Sequence, residues 1–247
     1  MSSPSPVALI FGAAIEGSNV GGALTKGFLG AGYRVASVSR HAAEPSQPEH
    51  VHIAANLAEP SSIADVFDAV SKAGWAFPAV IIWNVSSVSP PAESDPTNPF
   101  AVADADFDRD QALMVKSPYL AARKAVEVWL QDEDAGKKRK GTFIMTGNAC
   151  PRFMIPQSEF PVPLAMITTL GIGKSGAAYF LATADEVYKE KGLRFFFADE
   201  RKASGQTVGF DVSGESHVPV YLEMVTGGDD WPYYVTFAEG KYVKFDL

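Results

Sequence analysis

Short apolar runs along the chain alternate with longer stretches whose apolar residues recur at helical spacing. Val7 to Phe11 is a continuous apolar run ending at Gly12, the pattern of a strand buried on both faces. Asn19 to Ala31 carries small and apolar residues at helical spacing and closes on Gly30 and Gly32. Tyr33 to Ser39 alternates as a second strand, and Val51 to Ala54 is a weaker third. Pro60 to Ala73 is punctuated as a helix at both ends, starting after Glu59-Pro60 and stopping at Gly74, with Ile63, Val66, Phe67 and Val70 on one face. Ala79 to Trp83, Thr142 to Met145 and Leu193 to Phe197 read as further strands, and Tyr242 to Phe245 as a last one. Phe107 to Gln131 and Thr168 to Lys191 read as long helices.

Strands alternating with helices require right-handed crossovers, and so a parallel sheet covered on both faces. The pattern predicts one α/β domain over residues 1–247, with a doubly wound parallel sheet of about seven strands. No linker long enough to divide it, and no internal repeat, is visible. The proline-rich stretches Ser89 to Pro99 and Pro151 to Pro163 each follow a strand and read as loops. Ligands of open α/β sheets sit beyond the carboxyl ends of the strands, so both loops border the predicted site.

Composition narrows the function classes. The 247 residues, 47% of them hydrophobic, suffice for a sizeable core, although length alone allows one domain or two. Acidic residues outnumber basic ones 29 to 21, and the net charge of −8 argues against a general nucleic-acid binder. The lone Cys150 excludes a disulfide scaffold and an all-cysteine metal site. No basic region precedes Val7 to Phe11, so no signal peptide is indicated, and no apolar run approaches the roughly 18 residues of a membrane helix. The cytoplasm is the default expectation. Asn84-Val85-Ser86 matches a glycosylation sequon but ends an apolar strand, and is read as coincidence. Lys137-Lys138-Arg139-Lys140 directly follows Asp132-Glu133-Asp134 and reads as a solvated connection rather than a nuclear signal.

The candidate chemistry begins where the first strand runs into Gly12-Ala13-Ala14-Ile15-Glu16-Gly17-Ser18-Asn19-Val20-Gly21-Gly22 and then a helix. Glycines let the backbone approach a phosphate, and a helix N-terminus supplies N–H groups and positive dipole to hold it. Gly12, Ser18, Asn19, Val20 and Gly21 are therefore candidates for a pyrophosphate cradle. Position rather than spacing carries this reading, a plain glycine-rich turn is the alternative, and Glu16 would repel a phosphate unless it pointed outward. The second strand ends in Ser37-Val38-Ser39-Arg40-His41 without an acid. Arg40 suits the 2′-phosphate of NADP(H) where an acid would suit the ribose of NAD, with a surface arginine as the alternative.

At this point the chain resembles a short-chain dehydrogenase/reductase over nearly its whole length. The resemblance rests on the glycine loop, on Ile81-Ile82-Trp83-Asn84-Val85-Ser86 where that family has an Asn-Asn-Ala-Gly turn, on the strand end Thr142 to Asn148, and on Lys174 early in the next helix. Ala198-Asp199-Glu200-Arg201, Trp231 and the tail from Thr236 to Phe245 are similar to a poorly characterised, mainly fungal branch of it. The resemblance implies a Rossmann-like fold and an NADP(H) cofactor. It also implies that Asn84 lines the adenosine side, Asn56 stands where an aspartate often touches adenine, and Lys174 holds the nicotinamide ribose. A homodimer or homotetramer through the two long helices, a small-molecule substrate, and no nucleic-acid or membrane partner follow by the same analogy.

The departures from the family pattern bear on mechanism. The family's proton-transferring tyrosine stands four residues before its lysine, and here that position is Leu170. The serine position falls on Asn148, the asparagine position near Met114, and Asp199-Glu200 replaces a Pro-Gly turn. The glycine loop is also longer, and Asn19 takes the middle glycine's place. A positioned general acid contributes roughly 10²- to 10⁴-fold, and leucine cannot supply it. The resemblance therefore implies an atypical reductase without the usual tyrosine acid, acting on an imine, enone or carbonyl, with Lys174 and Asn148 as its catalytic-site residues. Hydride addition to an iminium carbon needs no proton donor. A non-redox, cyclase-type catalyst and a non-catalytic nucleotide-binding protein on the same fold are the alternatives.

Other residues receive plainer readings. Cys150 reads as a packing residue near the cleft rather than a nucleophile. His50 and His52 share a strand face without a third ligand, so no metal site is expected. Asp104, Asp106, Asp108 and Asp110 read as a solvated face at the start of a helix. Arg152 and Glu159 are weak candidates for an anion clamp and a replacement proton donor. Trp231-Pro232-Tyr233-Tyr234 reads as packing for the last strand.

Overall fold

The computed structural model describes residues 5–14, 19–44, 47–131, 140–156, 158–159 and 162–245. Its centre is one sheet of eight strands in the order β3-β2-β1-β4-β5-β6-β7-β8. The strands are β1 (Val7–Phe11), β2 (Arg34–Ser39), β3 (His50–Ala54), β4 (Val80–Trp83), β5 (Gly141–Thr146), β6 (Leu193–Glu200), β7 (Tyr234–Ala238) and β8 (Lys241–Tyr242). Every pairing is parallel except β7 with β8.

Alternation along the strands divides the core between two faces. Val7, Leu9 and Phe11 of β1 join one layer with Val66 of α2 (Ser62–Lys72), Ala125 of α4 (Ser117–Trp129) and Leu181 of α5 (Thr168–Tyr188). Ala8 and Ile10 point the other way, toward Leu24 and Phe28 of α1 (Val20–Gly30) and Val220 and Tyr221 of α6 (Gly214–Thr226). The doubly wound parallel sheet expected from the sequence is therefore present.

The long helix expected from Phe107 to Gln131 is divided. α3 (Asp104–Gln111) leads into a π-helical turn, Ala112–Lys116, before α4 begins. Pro118 has no N–H to return to the carbonyl four residues back, and Ser117 N–H instead reaches Ala112 five residues back. The turn also offers the Leu113 carbonyl to the Trp83 indole N–H at 3.1 Å.

The expected last strand, Tyr242 to Phe245, is also corrected. β7 at Tyr234–Ala238 extends the parallel sheet, and Lys241–Tyr242 only folds back against it. Trp231 stacks on Tyr242 at 4.5 Å, which agrees with a packing role for that aromatic cluster. α6 is concealed in the sequence because Gly214 opens it and Pro219 lies inside it. Although no single apolar run suggested a span, Leu164–Lys191 has the length and hydropathy to cross a membrane. Ala177, Ala178 and Leu181 of that stretch are buried in the core. The basic connection at 137–140 lies outside the described residues except for Lys140.

Candidate functional site

The strand order reverses direction between β1 and β4, which leaves a crevice at their carboxyl ends. A cavity of about 560 Å³ lies there, reaching from Gly12 and Asn84 across to β5, β6 and the start of α6. Gly12 turns the chain at φ +80°, and a Cβ on it would stand 2.9 Å from the Asn84 backbone. Asn84 braces this turn by donating from Nδ2 to the Gly12 carbonyl at 3.1 Å. Asn19 caps α1, its Oδ1 accepting the Gly22 N–H at 2.8 Å. Gly21 lets the helix approach, since a Cβ there would lie 2.4 Å from the Gly12 carbonyl oxygen.

Gly12, Asn19, Val20, Asn84, Asn148 and Lys174 all line this cavity. Gly21 packs immediately behind its wall, whereas Ser18 and Glu16 lie outside the described residues. Arg40 is exposed at the end of β2 and Asn56 is exposed after β3, so neither contributes to the described cavity wall. Asn56 Oδ1 serves its own turn by accepting the Ala58 N–H at 3.2 Å.

Lys174 is almost completely buried. Its Nζ donates to the Thr146 carbonyl at 2.8 Å and the Val85 carbonyl at 3.4 Å. Burial pulls its pKa down to about 8. Leu170, one turn earlier on α5, also lines the cavity. Met114 packs beneath this part of the helix, close enough that a Cβ on Gly173 would stand 2.7 Å from it.

The structure adds residues that spacing did not single out. Asp199 and Glu200 end β6 and project to opposite faces, yet both line the cavity. Asp199 pairs with Arg201 at 2.6 Å, and the Tyr234 hydroxyl lies 2.8 Å from Asp199 Oδ2 and from the Asn148 carbonyl. Burial pushes the Asp199 carboxyl upward against the pull of Arg201 and Tyr234. Glu200 Oε2 accepts the Ser213 N–H at 2.9 Å, and burial raises its pKa too. His217 of α6 completes this corner, its pKa lowered by burial to about 4, so it is neutral near pH 7. Two carboxylates at the carboxyl end of the apolar run Leu193 to Ala198 were the available sequence signal. For His217 there was none, because its helix was concealed.

Two weak candidates serve the framework instead. Arg152 lies over the Tyr234 ring at 4.5 Å, and the Glu159 carboxylate accepts the Thr207 N–H at 2.8 Å, tying the two loops beside the cavity together. Burial raises the Cys150 thiol to about 11, in keeping with its packing role. Asp110 departs from the expected solvated face: it is fully buried. Its carboxylate accepts from Ser87 at 2.6 Å and from Thr169 at 2.7 Å. Burial works to raise its pKa, but these hydrogen bonds, with Ser89 and the charge of Arg109, bring it below the usual range. The described residues contain no cluster suited to a metal ion.

A crevice at the switch point of a doubly wound parallel sheet, with a helix N-terminus on one wall and a buried lysine on the other, defines a nucleotide-binding type of α/β protein. No protein-family model matches the chain. It is 31% identical to the short chain dehydrogenase/reductase dmxR12 of Cryptosporiopsis sp. (strain 8999), over 98% of this chain and 95% of that protein. The chain belongs to the short-chain dehydrogenase/reductase superfamily. Its fold is similar to that of a short chain dehydrogenase from Leptospira borgpetersenii with bound NAD+ (TM-score 0.70, 14% identity, covering 96% of this chain and 92% of the other). It is also similar to a metagenomic short-chain oxidoreductase in complex with NADP (TM-score 0.70, 18% identity, 96% and 99% covered).

Proposed function

We propose that the protein binds NADP(H) and is an atypical reductase that acts on a small organic substrate, an imine, enone or carbonyl, without the usual tyrosine acid. The observation that carries this reading is the wall of α5, where Lys174 is oriented by two backbone carbonyls while Leu170 stands one turn earlier. The glycine turn fits a dinucleotide, since Gly12 and Gly21 let the turn pack closely against Asn84 and the start of α1, and Gly12, Asn19 and Val20 border the cavity. Asn19, Val20, Gly21 and Ser18 would hold the pyrophosphate, Arg40 the 2′-phosphate, Asn84 and Asn56 the adenosine, and Lys174 the nicotinamide ribose. The cofactor, when bound, supplies or accepts a hydride. Asn148 would orient the substrate or polarise an oxygen, with its loop held through the Tyr234 hydroxyl at its carbonyl.

Val88, Ile155, Met166, Leu170 and Phe210 give the cavity an apolar side, which suits a largely apolar substrate. Exposed Tyr119 of α4 with Ile172 and Tyr179 of α5 supports a homodimer or homotetramer through these helices. The cytoplasm is the proposed location. Titration of the purified protein with NADPH and NADH tests the cofactor, and absence of binding by both refutes it. NADPH oxidation with panels of imines, enones and ketones tests the reaction. Cyclisation insensitive to the cofactor's redox state would indicate non-redox catalysis instead.

A further inference from the structure

Glu200 is a buried carboxylate without a cationic partner among the described residues. Its Oε2 accepts the N–H of Ser213, the N-cap of α6, at 2.9 Å and lies 3.7 Å from His217 Nδ1. His217 brings no positive charge near neutral pH, and its Nδ1 lies 2.7 Å from the Ser213 carbonyl, where it acts as the donor. Arg201 is engaged with Asp199 at 2.6 Å, and those side chains leave β6 on the face opposite Glu200. Asp199 itself adds a like charge to the same stretch of cavity wall. Lys174 faces the cavity from α5 with its Nζ directed to the Thr146 and Val85 carbonyls. Tyr221 of α6 also feels the Glu200 charge but stays a neutral phenol that donates to Thr146 Oγ1 at 2.9 Å, whereas Glu215 on α6, Lys202 and Asp211 on the loop after β6, and Glu239 and Lys241 beyond β7 are exposed to solvent.

Helix packing brings this acid to the nucleotide end of the cavity. The start of α6 rests on the start of α1, so that a Cβ on Gly214 would stand 2.7 Å from Ala23 Cβ and 3.1 Å from the Asn19 carbonyl oxygen. Gly12, Asn19, Val20 and Glu200 consequently share one cavity. A pyrophosphate on the N-terminus of α1 would bring negative charge into a cleft already lined by the Glu200 carboxylate. A nearby like charge disfavours the ionised form of an acid, and burial, the largest influence on Glu200, already acts in the same direction and outweighs the opposing hydrogen bonds from the Ser213 N–H and the Ser216 side chain.

We propose that cofactor binding and protonation of Glu200 are coupled, so that Glu200 takes up a proton from solvent as NADPH binds and stands in the cavity as a neutral carboxylic acid. The inference rests on the NADP(H) reading above. It places a group able to donate a proton in a cavity whose α5 wall presents Leu170.

Calorimetric titration of the intact protein with NADPH, in buffers of differing ionisation enthalpy, counts the protons taken up. The expected result at pH 7.5 is net uptake approaching about one proton per site, with affinity falling by up to about tenfold per pH unit above neutrality. Glu200→Gln keeps a carbonyl oxygen for the Ser213 N–H but cannot titrate. It should abolish the uptake, flatten the pH dependence and bind NADPH at least as tightly. The difference between the two proteins cancels the titration of the cofactor's own 2′-phosphate, and Asp199→Asn should retain the uptake. Wild-type binding without proton uptake overturns the proposal while the cofactor reading stands, as does uptake that survives Glu200→Gln or is lost only in Asp199→Asn. Failure of wild type and Glu200→Gln alike to bind NADPH or NADH between pH 6 and 8.5 overturns the cofactor reading, and the coupling with it. Absence of uptake by wild type overturns the proposal even if Glu200→Gln misfolds, and Glu200→Ala then takes its place in the comparison.

Discussion

Lys174 and His217 are two buried bases with opposite prospects. Lys174 keeps its charge near neutral pH because burial lowers its pKa only to about 8, and a cation held by two carbonyls suits a ligand hydroxyl. Lys174→Met should weaken NADPH binding about 10- to 100-fold, the equivalent of losing roughly 1.5–3 kcal/mol from a charged hydrogen bond. Unchanged affinity in a fluorescence titration would remove Lys174 from the cofactor site. His217 is held neutral, with a folded pKa of about 4 against 6.5 for the free side chain. Between those values the unfolded chain binds a proton that the folded chain refuses, so stability is lost as pH falls from 6.5 toward 4. The loss is on the order of 3 kcal/mol for a group this buried. Asp199 and Glu200 act in the opposite sense, because their raised pKa values favour the folded state in acid. The useful comparison is with His217→Gln: the stability advantage of the wild type should narrow as chemical denaturation is repeated from pH 7 down to pH 4. A constant gap would contradict the assignment.

Among the elements, the start of α5 is held in place by Asp110. The carboxylate joins Ser87 after β4, its own helix α3, and Thr169, the residue before Leu170. The Ser89 N–H bonds to Thr169 Oγ1 at 3.2 Å, and Arg109 reaches Ser89 at 2.7 Å, so loop and helices share one network. Asp110→Ala leaves buried hydroxyls without their acceptor and should cost on the order of 3 kcal/mol in urea denaturation. Asp110→Asn, which keeps one acceptor, should cost less. Equal, negligible losses would show that α5 is positioned by apolar packing alone. The acids at Asp104, Asp106, Asp108 and Asp110 look alike in the sequence, and the fold distinguishes them. Asp110 is directed inward, Asp104 and Asp108 are exposed, and Asp106 is half-buried beside Arg109.

For the whole molecule, the sheet gathers residues distant in sequence into one crevice and leaves Tyr119 of α4 and Ile172, Tyr179 and Val187 of α5 exposed among charged neighbours. Tyr179 is 78% exposed, a large aromatic surface for a residue on a core helix. If that face carries the proposed homo-oligomer, the wild type should run as a dimer or tetramer in light scattering coupled to gel filtration. Tyr179→Glu should then shift it toward the monomer without unfolding it. A wild-type monomer at tens of micromolar would end that proposal.

Local pattern was enough for the parallel α/β sheet, for β1 to β6, for α1, α2 and α5, and for the glycine turn. These follow from periodicity and punctuation within a dozen residues, where backbone geometry dictates what can be buried. Tertiary structure alone decided the rest. β7 became a strand by pairing with β6, and α6 formed despite Gly214 and Pro219 because Tyr221 and Met224 fill the core. Spacing likewise left Asp199 and Glu200 as a departure from a family pattern. Their character as buried acids facing a nucleotide cleft arises from burial and from the contact between α1 and α6, which are long-range properties that no stretch of sequence contains.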